Sequence, residues 1–183
     1  MEKTMNKRIA IFLWLLIPIA ASAQSAGTSS TAEMKKLDFL VGDWKGEGWI
    51  EMGPGGRSTF KQTETVQSKL NGTVVIVEGL GKGKLASTGQ EGIVHHAFAV
   101  ISFDSRTKKY QFRAFRADGN FIDAEMTAEG NGLVWGFREP QRNIEIKYTI
   151  KLTDAGQWNE VGEFSMDGKT WRKFFEMTLQ RVK

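Results

Sequence analysis

An up-and-down antiparallel β-barrel of about ten strands, with a short N-terminal helix closing one end, is the all-β fold this sequence predicts. Three observations carry the prediction. Ten short segments of β-type residues recur at nearly even intervals. Turn chemistry separates them, chiefly Asn-Gly and Asp-Gly pairs that supply the positive φ angles of tight hairpins. Where the alternation is clean, apolar residues fall on every second position, the mark of a strand with one dry face. Consecutive hairpins make a meander, and a meander this long gains by closing, because closure removes the edges that would pair with other chains.

The chain has 183 residues, no cysteine and a formal charge of +4. Without cysteine, disulfides, zinc–thiolate sites, thiol nucleophiles and iron–sulfur clusters are excluded. The first 23 residues read as a secretory signal. Lys3, Lys7 and Arg8 form a basic start, an apolar run from Ile9 to Ala20 follows, and Ala21-Ser22-Ala23 offers a small-residue cleavage site. The run is short for a bilayer span, so an exported protein, periplasmic or extracellular, with no remaining membrane span is expected. Those 23 residues hold three bases and one acid, so their removal takes +2 from the +4 and leaves +2. That charge, with its signs interspersed, makes no basic stripe for nucleic acid.

After cleavage the chain begins at Gln24. Residues 24–30 form a small, polar, disordered leader, and 31–183 the barrel domain. Thr31 is placed as the N-cap of a helix over 32–40, with Met34, Leu37 and Leu40 along one side and Gly42 ending it. The strands are expected over 44–52, 59–69, 73–81, 93–103, 109–116, 120–127, 133–138, 143–152, 158–166 and 171–181. The turns include Gly53-Pro54-Gly55-Gly56, Asn71-Gly72, Asp118-Gly119, Asn131-Gly132 and Asp167-Gly168. Gly79 to Lys84 lacks the spacing and the Ser/Thr of a phosphate loop and reads as a mobile Gly/Lys loop. In the eighth strand Ile144, Ile146, Tyr148, Ile150 and Leu152 share a face. In the last, Trp171, Lys173, Phe175, Met177 and Leu179 share one, and Arg172, Glu176 and Gln180 oppose them.

Gly42-Asp43-Trp44, directly after a short helix, resembles the Gly-x-Trp start of lipocalins and related calycin barrels. The resemblance implies that Trp44 sits inside the closed end, with a basic residue near the chain terminus packed across it. Arg181 has the parity to do this, a contact of about 0.5–2 kcal/mol. The longer form Gly42-x-Trp44-x-Gly46-x-Gly48 resembles the start of nitrobindin-type ten-stranded haem barrels. Over most of the chain the sequence is similar to an uncharacterised lipocalin-like family of exported bacterial proteins, through that opening, Phe103-Asp104, and the closing Thr178-Leu179-Gln180-Arg181. Haem in the nitrobindin manner implies a late axial histidine, and none follows His96, so no cofactor is assigned.

Hairpin parity yields a lumen. A two-residue turn at Asp118-Gly119 pairs Arg116 with Phe121, Ala114 with Asp123 and Phe112 with Glu125. A four-residue loop over 105–108 pairs Phe103 with Tyr110 and Ile101 with Phe112. One face then gathers His95, Ala97, Ala99, Ile101, Phe103, Tyr110, Phe112, Ala114, Arg116, Phe121, Asp123 and Glu125. The other gathers His96, Phe98, Val100, Arg113, Phe115, Ile122, Ala124 and Met126. Both are partly apolar. The first is taken as the lumen because aromatics with a few convergent polar groups are what small-molecule pockets use, and the second then leaves an apolar outer patch that suggests a homodimer contact.

His95 and His96 are the two histidines. As strand neighbours they point to opposite faces, so no metal site is assigned. Aromatics at period two, such as Trp135 with Phe137 and Trp158 with Phe164, form core and cavity wall alike. The function expected is non-catalytic binding of a small apolar or amphipathic ligand by His95, Phe112, Arg116, Asp123, Glu125 and Trp135. Two alternatives stand beside it. One is a carboxylate-dependent enzyme acting on a small molecule or glycan through Asp123 and Glu125, about 7 Å apart along the strand and within the range of an inverting pair. The other is a structural or accessory domain whose barrel is filled by its own side chains.

Overall fold

The computed structural model describes residues 30–51 and 56–182. The signal segment and nearly all of the leader lie outside the described residues. Ten antiparallel strands form one closed barrel: β1 (Gly42–Glu51), β2 (Arg57–Lys69), β3 (Val74–Lys84), β4 (Glu91–Asp104), β5 (Lys109–Arg116), β6 (Phe121–Glu129), β7 (Gly132–Glu139), β8 (Ile144–Leu152), β9 (Trp158–Ser165) and β10 (Arg172–Arg181). Each pairs with its neighbours in sequence, and β1 closes on β10. Among the described residues no helix is long and apolar enough to cross a membrane.

The N-terminal segment is helical from residue 30, which puts Thr31 inside the helix rather than at its cap, and it continues as a 3-10 helix over Lys35–Leu40. A 3-10 helix repeats every three residues, so Met34, Leu37 and Leu40 fall on one line, and all three are buried. They plug the barrel at the end where β1 starts and β10 stops. The Trp44 indole N–H donates to the Leu40 carbonyl at 2.7 Å. The Arg181 guanidinium lies 4.1 Å from the Trp44 ring centre and donates to the carbonyls of Phe39, at 2.7 Å, and Val41. One arginine therefore ties the last strand to the first and to the plug.

Closure depends on missing side chains. Gly46 pairs with Leu179 across the β1–β10 seam, and a Cβ there would run into the Thr178 carbonyl oxygen. At Gly48 a Cβ would stand 2.6 Å from the Phe60 ring and 2.8 Å from the Glu176 carbonyl oxygen.

Two readings of local structure change here. Gly79 to Lys84 is strand, not a mobile loop. Gly79 and Gly81 face inward and leave room for the side chains of Glu64 and Gln62, which a Cβ at either position would strike. In β10 an extra residue falls at Phe174, because Lys173 pairs with Glu163 and Phe175 with Gly162. Strict alternation breaks at this bulge, and Phe174 and Phe175 are both buried. Trp171 precedes the strand, with the Lys147 ammonium 4.2 Å from its ring centre.

Gly46→Ala is expected to destabilise the chain by about 3 kcal/mol, as over-packing against immovable backbone does. Urea titration would show the loss as a lowered midpoint, and a midpoint within error of the parent would contradict the tight seam.

Candidate functional site

The barrel interior is layered. Val77, Ala99, Ile101, Leu133, Ile150 and Met177 line a cavity of ≈ 70 Å³ with Leu40 of the plug on one side. One pleat farther from the plug, Phe60, Phe175, Tyr148 and Trp135 make an aromatic tier. Its rings run in contact: His95 to Phe60 at 6.2 Å, Phe60 to Phe175 at 5.9 Å, Phe175 to Tyr148 at 5.7 Å, Tyr148 to Trp135 at 4.2 Å, and Trp135 to Phe112 at 4.7 Å. Offset and edge-on ring pairs at such spacings add to burial alone. The cavity is thus held between the plug and a layer of rings.

Three of the groups lining it titrate: Glu64 on β2, His95 on β4 and Glu160 on β9. Glu64 is 4% exposed and Glu160 7%. The Gln62 amide donates to one Glu64 oxygen at 2.7 Å, and the Trp158 indole N–H to one Glu160 oxygen at 3.2 Å. Neither acid takes part in an ion pair among the described residues.

Burial without a counter-charge favours the neutral acid. It pushes Glu64 up to about 7, against the pull of the Gln62 hydrogen bond. Burial and the nearby Glu64 push Glu160 up to about 8, against the Trp158 hydrogen bond. Burial, helped by His96, lowers His95 to about 4, so its imidazole is neutral. Tyr148 is raised by burial and by Glu160 and keeps its proton. The Gln62 side-chain oxygen is buried with no hydrogen-bond partner, an unusual condition for a native interior.

Among the residues expected to form the site, His95 and Phe112 line the cavity, and Trp135 faces inward in the aromatic tier. Asp123 and Glu125 do not face the lumen, and Arg116, which keeps the inward parity of Phe112 and pairs with Ala97, reaches out from the end of β5 toward Asp118; all three are exposed. For Asp123 and Glu125 the cause is one residue in the β5–β6 turn. Gly119 takes φ 81, its N–H donates to the Arg116 carbonyl at 2.9 Å, and the Arg116 N–H donates to the Asn120 carbonyl at 2.8 Å. The loop therefore holds three residues rather than two, a type I turn with a bulge, and Phe112 pairs with Ala124 rather than Glu125. A one-residue slip turns every β6 side chain over. Ala124 and Met126 go in, while Phe121 stands outside, 51% exposed. Asp123 forms a two-point salt bridge with Arg113 on the outer wall, at 2.7 and 2.8 Å. Arg116 pairs with Asp118 at 3.0 Å.

Glu64 and Glu160 are absent from the sequence-based site. Their signal is polar residues in apolar parity: Gln62 and Glu64 alternate in step with Phe60 and Val66, and Glu160 with Trp158 and Phe164. Among the described residues no three His, Asp or Glu side chains converge as a metal site.

A family model described as "Protein of unknown function (DUF1579)" matches residues 29–181. No curated protein matches the sequence. Among solved structures, the crystal structure of Rv2717c from M. tuberculosis has a TM-score of 0.56 and 9% sequence identity, covering 82% of this chain and 98% of that one. That likeness is one of fold.

The raised acids set a pH dependence of stability. Folded Glu64 and Glu160 hold protons that the unfolded chain releases above its ordinary carboxyl pKa, so stability falls as pH rises through about 7 and 8. Neutral His95 works in the opposite direction, but only between its folded value of about 4 and its ordinary 6.5. From about pH 6.5 to about 8.5 the acids act alone and should cost on the order of 2 kcal/mol, or ~5 °C of melting temperature. Scanning calorimetry should find this fall in the parent and a flattened profile in the Glu64→Gln, Glu160→Gln double variant.

Proposed function

The chain belongs to the DUF1579 family, and we propose that it is a non-catalytic binding module whose barrel interior takes a compact amphipathic molecule. One observation carries the reading. Between the plug and the aromatic tier lies unfilled space whose wall is apolar except for Glu64, His95 and Glu160. A barrel built only for stability gains nothing from two buried acids without counter-charges, since apolar residues of similar volume would serve better. Polar groups kept at that cost and placed against a cavity orient a ligand.

The size of the space limits the guest. At ≈ 70 Å³ it is under half the ~150 Å³ of a cavity that accepts benzene. It is also well below the 300 Å³ or so where drug-sized pockets begin. A molecule of a few non-hydrogen atoms fits, its apolar part against Ile101, Phe112 and Ile150 and its polar part at the acids.

The reading includes action outside the cytoplasm, supported by the basic start, apolar run and Ala21-Ser22-Ala23 of the N-terminal segment. Native mass spectrometry of the chain purified from its own host should find added mass that is lost on unfolding, and Ala99→Phe, which fills the cavity from β4, should remove it. A chain with no added mass, and no change in melting temperature with any compact organic solute, would refute the binding role. Sequencing the N-terminus of the same preparation should return Gln24 as the first residue; a chain retaining residues 1–23 in the cytoplasm would overturn export.

A further inference from the structure

We propose that the polar part of the ligand is a protonated amine, a small monocation whose ammonium group is held between Glu64 and Glu160; this rests on the binding reading above. Hydrogen-bonding groups are out of balance at this place. Each carboxyl has one oxygen occupied, by Gln62 or by Trp158. Among the described residues nothing donates to the second oxygen of either acid, and the Gln62 side-chain oxygen is also buried without a donor. Once ionised, the two carboxylates join the Gln62 oxygen as acceptors without donors and call for a ligand rich in N–H groups. An ammonium offers three and accepts none.

Charge points the same way. The other titratable groups facing the pair are His95 from β4, which is neutral, and Tyr148 from β8, which keeps its proton. The rest of the cavity wall, from the plug, β3, β5, β7 and β10, is apolar. Arg181, on the same face of β10, is engaged at the plug by Trp44 and the Phe39 and Val41 carbonyls. The two acids are held neutral while the cavity lacks a cation, and a bound cation would let them ionise and pair with it. The ionised carboxylates repel an anion, and a purely apolar guest leaves their acceptors unmet.

The wall also suits an organic cation over a metal ion. No set of three acidic or imidazole ligands converges among the described residues. The Trp158 and Phe112 rings line the same space, and aromatic faces attract cations within about 6 Å. The ≈ 70 Å³ volume suits methylammonium or ethylammonium, or the head of a slightly longer amine.

Isothermal titration of the purified chain with ethylammonium, ethanol and acetate at matched ionic strength tests this. Ethylammonium should bind at pH 8.5, and at least about tenfold more weakly at pH 6, where both carboxyls are protonated. Glu64→Gln and Glu160→Gln should each weaken it by about tenfold or more, as loss of a charged partner does. Removing an uncompensated acid does not threaten folding, and the pH series on the parent chain gives the same readout without substitution. Ethanol or acetate binding as tightly as ethylammonium would overturn the cation assignment and leave the binding module standing, as would amine affinity unchanged in both variants. If no solute binds at either pH the cation assignment falls, and the binding reading falls with it when the natively purified chain also carries no added mass.

Discussion

The volume enclosed by ten strands is the constraint on which the rest of the molecule depends. A cylinder of this strand number is wide enough to need filling and not wide enough to waste space, so each inward position is chosen against its neighbours. Several large inward side chains are admitted where glycine gives way. Gly48 yields to Phe60, Gly162 to Tyr148 and Phe175, and Gly79 and Gly81 to Glu64 and Gln62. The same economy operates at the seam, where Gly46 lets β1 approach β10 closely enough to close the sheet. Closure then removes every free edge, and the plug of Met34, Leu37 and Leu40 seals one end.

Within that volume the interior is divided by chemistry. The plug level is apolar and held by one arginine on one tryptophan. The middle tier is a run of touching rings. Between them, two acids and an imidazole meet a small space. Burial suppresses ionisation of all of them, and each acid accepts only one hydrogen bond from the protein. Stability is therefore lower than an all-apolar interior of this shape would give, and the deficit is concentrated at one place. Where a fold keeps such a deficit, the groups responsible are the first to examine for a role in recognition.

The outer wall follows ordinary rules by comparison. Its ion pairs, Arg113 with Asp123 and Arg116 with Asp118, lie in solvent. The rings of Phe98, Phe115 and Phe121 touch one another there, with the Arg113 guanidinium 4.2 Å from the Phe121 ring centre. A salt bridge thus lies across what would otherwise be a bare aromatic patch.

Much of this was legible in the residues alone. The ten strands, the plug with its spacing of three and the inward faces of β4, β5 and β8 follow from period-two alternation, turn chemistry and parity, all of which are local, while the Trp44–Arg181 contact was implied by the resemblance of the Gly42-Asp43-Trp44 opening to calycin barrels. Three things were not legible. The β5–β6 turn takes three residues because Gly119 alone adopts the left-handed conformation that a two-residue turn needs at Asp118 as well, and that slip sends Asp123 and Glu125 to solvent. Phe174 is buried because a bulge breaks alternation in β10. Glu64 and Glu160 are brought to one cavity from strands that do not pair with each other. By itself the sequence determined the elements and their order, because alternation and turns act over a few residues. Which acids face inward, and which of them meet, only the tertiary structure decided, because one residue of register reverses a strand and only closure brings distant strands face to face.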